Sequence, residues 1–329
     1  MTTSLPRRIT RTGLSLTELG LGCAQFGNLY REMPDATVDE IVDTAWAAGI
    51  RLFDTAPHYG LGLSERRLGA ALRRYPRDEY VLSTKVGRLL RPNPEPTGQD
   101  REGFVVPDTE TRVWDFSERG VTTSIEESLD RLGLDRIDIA YIHDPDAHWD
   151  AALAGAVPAL QRLRAEGVIG GFGAGMNQAA MLTRFVLEAD ADIVMLAGRY
   201  TLLEQGALHD LFPAADQTGA AVVIAGVYNS GLLAKPRPDA GAQYDYGDAP
   251  AELIARANGL ADICERHGVT LPDAAIQFPL QQQSVASVVV GASRPGHVPD
   301  AVARYSAEIP DTLWGDLVSA GLVSPAAIE

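Results

Sequence analysis

Asp54, Tyr59, Lys85 and His143 are the residues of this chain best placed to do chemistry. Each is polar or ionisable, and each lies at or just beyond the C-terminal end of a short apolar run. The runs are Arg51-Leu52-Phe53-Asp54, Tyr80-Val81-Leu82-Ser83-Thr84-Lys85 and Ile137-Asp138-Ile139-Ala140-Tyr141-Ile142-His143. Pro57 and Gly60 mark a turn that lets Tyr59 fold back over the first of these ends. An unperturbed phenol titrates near about 10, and a neighbouring ammonium stabilises phenolate and lowers that value. Lys85 can supply the ammonium, and Asp54 can hold Lys85 charged and oriented. His143 can donate to a substrate oxygen or relay a proton. Such a group suits reversible proton transfer to a carbonyl or alcohol oxygen.

Lys85 stands out because the chain uses arginine almost everywhere else it needs a cation; Lys235 is its only other lysine. An ammonium is a compact charge whose pKa moves on burial, whereas a guanidinium stays charged. Taken singly, each residue also has a plainer reading. Asp54 could cap a turn, Tyr59 could be a rim aromatic with a satisfied hydroxyl, His143 could belong to the turn at Asp144-Pro145, and Lys85 could have survived a bias towards arginine. Their common position at strand ends makes the set more specific than its members.

The elements that would position them alternate. After a hairpin around Ile9 to Leu16, strands are predicted at Leu19 to Gln25, Arg51 to Asp54, Tyr80 to Lys85, Ile137 to His143, Val168 to Gly173, Ile193 to Leu196, Ala221 to Ala225 and Ser287 to Val290. Helices are predicted between them, at Thr37 to Ala48, Ser64 to Arg74, Thr122 to Leu132, Ala151 to Glu166, Gln178 to Glu188, near Glu204 to Leu211, at Ala251 to His267 and at Pro272 to Gln281, with a last pair closing the chain. All-apolar runs such as Ala221-Val222-Val223-Ile224-Ala225 suit strands buried on both faces of a parallel sheet. Eight such units within 329 residues predict an α/β chain folded as one (β/α)8 TIM barrel over 1–329, whose chemistry sits at the C-terminal rim of the strands. A doubly wound sheet is the runner-up. Gly20, Gly22 and Gly27 near the first strand lack the spacing of a dinucleotide fingerprint.

Two connections, Gly87 to Gly120 and Ala234 to Pro250, are long and rich in Pro, Gly and polar residues. Both leave C-terminal strand ends and are expected to overhang the mouth, as functional or mobile loops. The formal charge of −16 argues against nucleic-acid or anionic membrane partners. Cys23 and Cys264 are far apart, show no metal-ligand spacing, and fit a reducing compartment with both thiols unpaired. The N-terminal residues lack the apolar core of a secretory signal, and no run reaches membrane-spanning length. The expectation is a cytoplasmic protein, a monomer or small homo-oligomer, acting on a small molecule without a metal.

The stretch from Arg51 to Gly60 with Ser64-Glu65, Lys85 in Ser83-Thr84-Lys85 and His143 in Tyr141-Ile142-His143-Asp144 together resemble the aldo-keto reductase superfamily. The resemblance covers nearly the whole chain. It implies a barrel that binds NAD(P) at the strand C-termini and moves hydride between nicotinamide and a carbonyl or alcohol carbon. Tyr59 would be the acid/base, Lys85 and Asp54 its tuners and His143 the substrate orienter.

Within the family, Thr84 to Pro92 and Ile142 to Asp146 resemble a branch of D-threo-aldose, L-fucose and pyridoxal 4-dehydrogenases. The implied reaction is oxidation of a sugar hemiacetal to a lactone, with general aldehyde or ketone reduction or pyridoxal oxidation as alternatives. Phe104, Trp114 and Phe116 of the long loop, and Trp149, are implied to face the substrate. Gly175 and Met176 stand where relatives carry a Ser-Asn pair, and Asn177 offers an amide one residue on. The usual Gln of the sixth strand has no counterpart near Ala197 to Tyr200. Tyr228, Asn229, Ser230, Gly231 and Leu232 resemble the segment that holds the pyrophosphate, with backbone donors and Ser230 available to phosphate. Gly291, Ala292, Ser293, Arg294, His297 and Asp300 resemble the segment around the adenosine ribose. Gly291 and His297 replace the Lys and Arg that grip a 2′-phosphate in NADPH-preferring relatives. A 2′-phosphate wants fixed cations, so NAD is the expected cofactor, with NADP possible through Arg294. Two other readings stay open: a barrel aldolase or isomerase with a Schiff base on Lys85, and a non-catalytic barrel that binds nicotinamide nucleotide as a regulator.

Overall fold

The computed structural model describes residues 4–239, 241–245 and 247–328. Eight parallel strands close into a barrel. In chain order they are β1 (Leu19–Gly22), β2 (Leu52–Asp54), β3 (Val81–Val86), β4 (Ile139–His143), β5 (Gly171–Met176), β6 (Ile193–Ala197), β7 (Ala221–Ala225) and β8 (Val285–Gly291). Each pairs with its neighbour in sequence, and β8 pairs with β1. The (β/α)8 architecture expected from the alternation is therefore the one observed.

Side chains two apart on a strand share a face, and that rule builds the interior. Leu52, Val81, Ile139, Tyr141, Ile193, Met195, Val223 and Val289 form a buried cluster inside the barrel, and Leu16 joins it from the N-terminal hairpin. That hairpin pairs Arg7–Ile9 with Ser15–Thr17. The partners of opposite parity, such as Phe53, Leu82, Ala140 and Ile142, pack outward against the helices in a second, larger cluster. The inward set continues one step further along each strand. Asp54 follows Leu52, Ser83 and Lys85 follow Val81, and His143 follows Tyr141, so the polar groups cap the apolar column at one end.

The surrounding helices are α1 (Asp35–Ala47), α2 (Leu63–Leu72), α3 (Glu118–Leu132), α4 (Val157–Ala165), α5 (Ala179–Glu188), α6 (Leu211–Thr218), α7 (Ala251–Arg266), α8 (Leu271–Gln277), α9 (His297–Tyr305) and α10 (Asp311–Ser319). A wide helical turn at Ala152–Ala156 leads into α4. The helix expected near Glu204 to Leu211 is displaced: only a short 3-10 turn spans Gly206–His209, and α6 begins at Leu211. Asp210 caps it by accepting from the Leu211 amide at 2.7 Å. Pro213 is the third helical residue, where no amide hydrogen bond is lost. Strand β5 also starts later than expected, at Gly171, and runs on to Met176.

Both long connections carry structure. In the first, Arg88–Pro92 and Glu110–Trp114 pair as an antiparallel hairpin. The segment between them is sewn to the residues after β1: the Tyr30 amide donates to Gly103 O at 2.8 Å and the Val105 amide to Asn28 O at 2.9 Å. The second carries a two-residue ladder, Gln243–Tyr244 with Gly247–Asp248. Ala240 and Tyr246 of that connection lie outside the described residues, as do residues 1–3 and 329 at the ends of the predicted 1–329 domain.

Candidate active site

Strand register brings Asp54, Lys85 and His143 to the same rim. Gly22 pairs with Asp54, Asp54 with Ser83, Lys85 with Tyr141, and His143 with Gly175. Lys85 Nζ donates to Asp54 Oδ2 at 2.7 Å and to the Thr55 carbonyl at 3.0 Å. Ser83 Oγ donates to the other Asp54 oxygen at 2.8 Å. The pair is almost sealed from water, with side-chain exposures of 3% and 5%. Burial works against the Lys85 charge, but Asp54 and Tyr59 outweigh it and raise the lysine pKa. Lys85 is thus a fixed ammonium.

Tyr59 reaches this ammonium by way of a tight turn. Gly60 is at φ +63°, and a Cβ there would lie 2.2 Å from Gly27 O; a Cβ on Gly27 would lie 2.5 Å from the Tyr59 carbonyl carbon. Only two glycines allow the backbones to cross so closely. Lys85 Nζ lies 4.8 Å from the Tyr59 ring centroid, close enough for its charge to act on the phenol. The net effect on the phenol differs from the expectation. Burial dominates and holds the Tyr59 pKa above its ordinary value, while the Lys85 charge pulls it only part of the way back. In this cleft the phenol keeps its proton, and the lysine moderates the penalty on ionising it.

His143 is kept neutral by burial and by Arg88 and Lys85, which drive its pKa well below the usual range. Its ring meets that of Tyr59 edge to face at 6.1 Å, and its buried Nδ1 has no protein partner. A neutral imidazole at this position can donate one hydrogen bond to a substrate oxygen and cannot act as a strong acid.

Residues of the Ser64-Glu65 motif hold these parts from below. Ser64 Oγ donates to Cys23 O at 2.7 Å and sits 2.8 Å from Thr55 Oγ1. Glu65, fully buried, accepts from Thr84 Oγ1 at 2.7 Å and from Arg131 at 2.6 Å. Helix α2 is thereby tied to the strands on either side of the Asp54–Lys85 pair.

The cleft over this group, of about 430 Å³, contains Asp54, Tyr59, Lys85 and His143 in its walls. A smaller trench shares Asn177, Ala197 and Gly226 with it and is lined further by Arg199, Asn229, Ser230, Tyr244 and Asp245. Gly22, Gly175, Gly226 and Gly291 leave its floor without side chains. Two buried acceptors there, Gln25 Oε1 and Asn229 Oδ1, have no protein partner. A groove with several glycines in its wall, unpartnered amide oxygens and the Arg199–Asp245 pair at one end has room and polar partners for the amide, ribose and diphosphate of a nicotinamide dinucleotide.

The remaining expected residues divide. Asn177, Asn229, Ser230 and Gly291 line the groove. Gly231 continues the turn at φ +98°, and Leu232 and Ala292 are buried, leaving only backbone to offer. Tyr228 packs on the core with Arg304 5.5 Å from its ring. Ser293 and His297 contact each other, the Ser293 amide donating to His297 Nδ1 at 3.3 Å. Arg294 is exposed and faces Asp300 at 3.9 Å.

Among the aromatics, Phe104 meets Tyr59 at 6.1 Å and His58 at 5.3 Å. Trp114 stacks on Phe116 and Arg88 at the hairpin. Trp149 does not face the cleft as expected. It turns onto Phe185 at 4.7 Å and is covered by Arg184, both on α5. Sequence reasoning missed Gln25, His58, Arg88 and Asp144. His58 and Asp144 adjoin Tyr59 and His143 in sequence, which was the available signal.

Residues 18–321 match the Aldo/keto reductase family. The chain belongs to that family. This aldo/keto reductase is 53% identical to a D-threo-aldose 1-dehydrogenase of a Pseudomonas species, over 94% of this chain and 96% of that protein. It is 42% identical to a pyridoxal 4-dehydrogenase of Microbacterium luteolum, over 97% and 98% of the two chains. In structure it resembles an aldo-keto reductase of Bacillus halodurans in its holo form, with a TM-score of 0.75 at 25% identity, covering 99% and 98% of the two chains. The aldo/keto reductase is therefore an NAD(P)-dependent oxidoreductase. Among the described residues no helix is long and apolar enough to cross a membrane.

Proposed function

We propose that this enzyme is an aldose 1-dehydrogenase that oxidises a sugar of the L-fucose or D-threo-aldose type at its anomeric carbon, using NAD. The observation that carries the reading is the 53% identity, over 94% of the chain, to a D-threo-aldose 1-dehydrogenase. Pyridoxal 4-dehydrogenase activity is the second reading, favoured by the 42% match.

The residues support the following roles. Tyr59 accepts the proton of the anomeric hydroxyl in oxidation and returns it in reduction. Lys85, held by Asp54, stabilises the phenolate that Tyr59 must become to act as base. His143, neutral and donating, orients the same oxygen. Asn177, Asn229, Ser230 and Gly291 would hold the dinucleotide, with Gln25 beside them. When bound, the nicotinamide accepts the hydride from the anomeric carbon, and the C–O bond becomes the lactone carbonyl.

Three features favour NAD. Gly291 offers no cation, and burial lowers the His297 pKa. Arg31 donates to Ser293 Oγ at 2.7 Å and Arg294 lies 3.9 Å from Asp300, so a 2′-phosphate would compete with a partner each guanidinium already has. We read 1–329 as a single domain of a cytoplasmic enzyme. The test is titration with NAD and NADP by fluorescence, followed by an absorbance screen for oxidation of L-fucose, D-arabinose, L-galactose and pyridoxal. Oxidation of an aldose with NAD is the expected result. Failure with all four, together with aldehyde reduction by NADPH, would place the enzyme among the general reductases.

A further inference from the structure

One wall of the cleft is polar and has no part in the proton transfer above. Arg88, on the hairpin after β3, donates from Nη2 to Asp144 Oδ2 at 2.5 Å and contacts His58 Nδ1 from Nη1 at 3.1 Å. A guanidinium only donates, so His58 Nδ1 is the acceptor and the imidazole carries its proton on Nε2. Burial, with Arg88 and Arg112, pushes the His58 pKa down to about 2, so the ring is neutral. Arg112 also grips the His58 carbonyl at 2.8 Å. Arg88 in turn lies 4.4 Å from the Trp114 ring, which holds it in plane. One guanidinium therefore fixes a carboxylate acceptor and a neutral imidazole donor side by side.

Both groups face the cleft beside Tyr59 and His143. His143 Nε2 is 3.5 Å from Asp144 Oδ2, so the acceptor stands next to the oxygen that His143 would orient. Asp144 is held there by an uncommon backbone conformation, φ +42°, which a residue other than glycine adopts only where its surroundings enforce it. Asp146 adds a second carboxylate to the same wall. A sugar hydroxyl both donates and accepts. Neighbouring hydroxyls therefore match a fixed acceptor beside a fixed donor, and a simple aldehyde has nothing to offer either.

We propose that Asp144 and His58, fixed by Arg88, bind the hydroxyl groups next to the reacting carbon and set the preference for sugars over unsubstituted aldehydes. The proposal rests on the aldose reading above and names the side chains that enforce it.

The experiment measures kcat/KM for oxidation of L-fucose with NAD and for reduction of propanal with NADH, in wild type and in Asp144→Asn, Arg88→Lys and His58→Gln. Asp144→Asn keeps the shape and removes the charge. Its ratio of sugar to propanal efficiency is expected to fall about tenfold or more, the loss of one hydrogen bond to a charged group, and to fall mainly through KM for the sugar. Arg88→Lys removes the two-pronged grip and is expected to lower the ratio in the same direction, as is His58→Gln; these carry the test if Asp144→Asn does not fold. A ratio within about twofold of wild type in the folded variants, with the wild type oxidising L-fucose, overturns this proposal alone. A wild-type enzyme that reduces propanal but oxidises no aldose overturns the aldose reading and this proposal together.

Discussion

The Lys85 ammonium stands 2.7 Å from the Asp54 carboxylate, and both are nearly closed to solvent. Removing one partner strands the other. Lys85→Met is expected to lose activity by about a hundredfold or more, since an acid/base group of this kind contributes about 10²–10⁴. It is also expected to lose about 3–5 kcal/mol of stability, because Asp54 becomes an unpaired buried charge. Adding Asp54→Asn to Lys85→Met should restore much of the stability and none of the activity. Thermal melts and steady-state rates on the two single variants and the double variant check both halves.

The pH profile follows from the sign of the Tyr59 shift. Burial raises that pKa, and oxidation needs the deprotonated phenol. The rate of sugar oxidation should therefore climb through neutral pH and keep climbing into the alkaline range. Reduction needs the protonated phenol and should be level through neutral pH. His58 and His143 both stay neutral, their pKa values being depressed, so neither profile should bend near the ordinary histidine value of about 6.5. Rates in both directions across the pH range decide this, and an inflection there that vanishes in His143→Gln would contradict it.

Gly27 and Gly60 cross at the foot of the Tyr59 turn, where a Cβ on either would strike backbone at 2.5 Å or less. Gly27→Ala should displace Tyr59 relative to Lys85. A misplacement of about 1 Å can cost about a hundredfold in turnover, while Asn177, Asn229 and Ser230, which lie on other loops and are proposed to hold the dinucleotide, keep their places. The check is kcat beside a fluorescence titration of the cofactor: turnover should fall and affinity should hold.

Glu65 lies under the site and pairs with Arg131 and Thr84 without touching the cleft. Glu65→Ala leaves the Arg131 guanidinium, 14% exposed, with only Glu127 at 3.9 Å to pair with. The expected loss is about 3 kcal/mol, read from denaturant unfolding. Glu65→Gln, which keeps the hydrogen-bonding shape, should lose less.

The barrel and the polar rim were legible because strand alternation is a local pattern. Leu52 and Asp54, Val81 and Lys85, Tyr141 and His143 share parity, so an apolar column ending in polar groups shows in the sequence. The dinucleotide groove was half legible. Asn177 and Ser230 follow strands and Gly291 ends one, but Gln25 follows β1 in a short turn with no periodic signal. The hairpin carrying Arg88 and Arg112 was hidden because its strands are separated by a Pro- and Gly-rich segment that reads as loop. What holds that segment is non-local: Arg112 pairs with Asp100, and Asn28 holds Val105. Helix α6 begins at Leu211, where the expected helix ended, and Pro213 is harmless because it lies in the first turn. The Tyr59 shift was misjudged because sequence supplies the neighbouring charge and not the depth of burial that outweighs it.

In the proposed reaction Tyr59, backed by Lys85, would carry the proton to and from the substrate oxygen. The most direct test of that role is steady-state oxidation of L-fucose by wild type and Tyr59→Phe, with cofactor binding followed in parallel by fluorescence. Tyr59→Phe should bind the cofactor as wild type does and lose at least about a hundredfold in kcat. A Tyr59→Phe enzyme that turns over sugar at the wild-type rate would contradict the assignment.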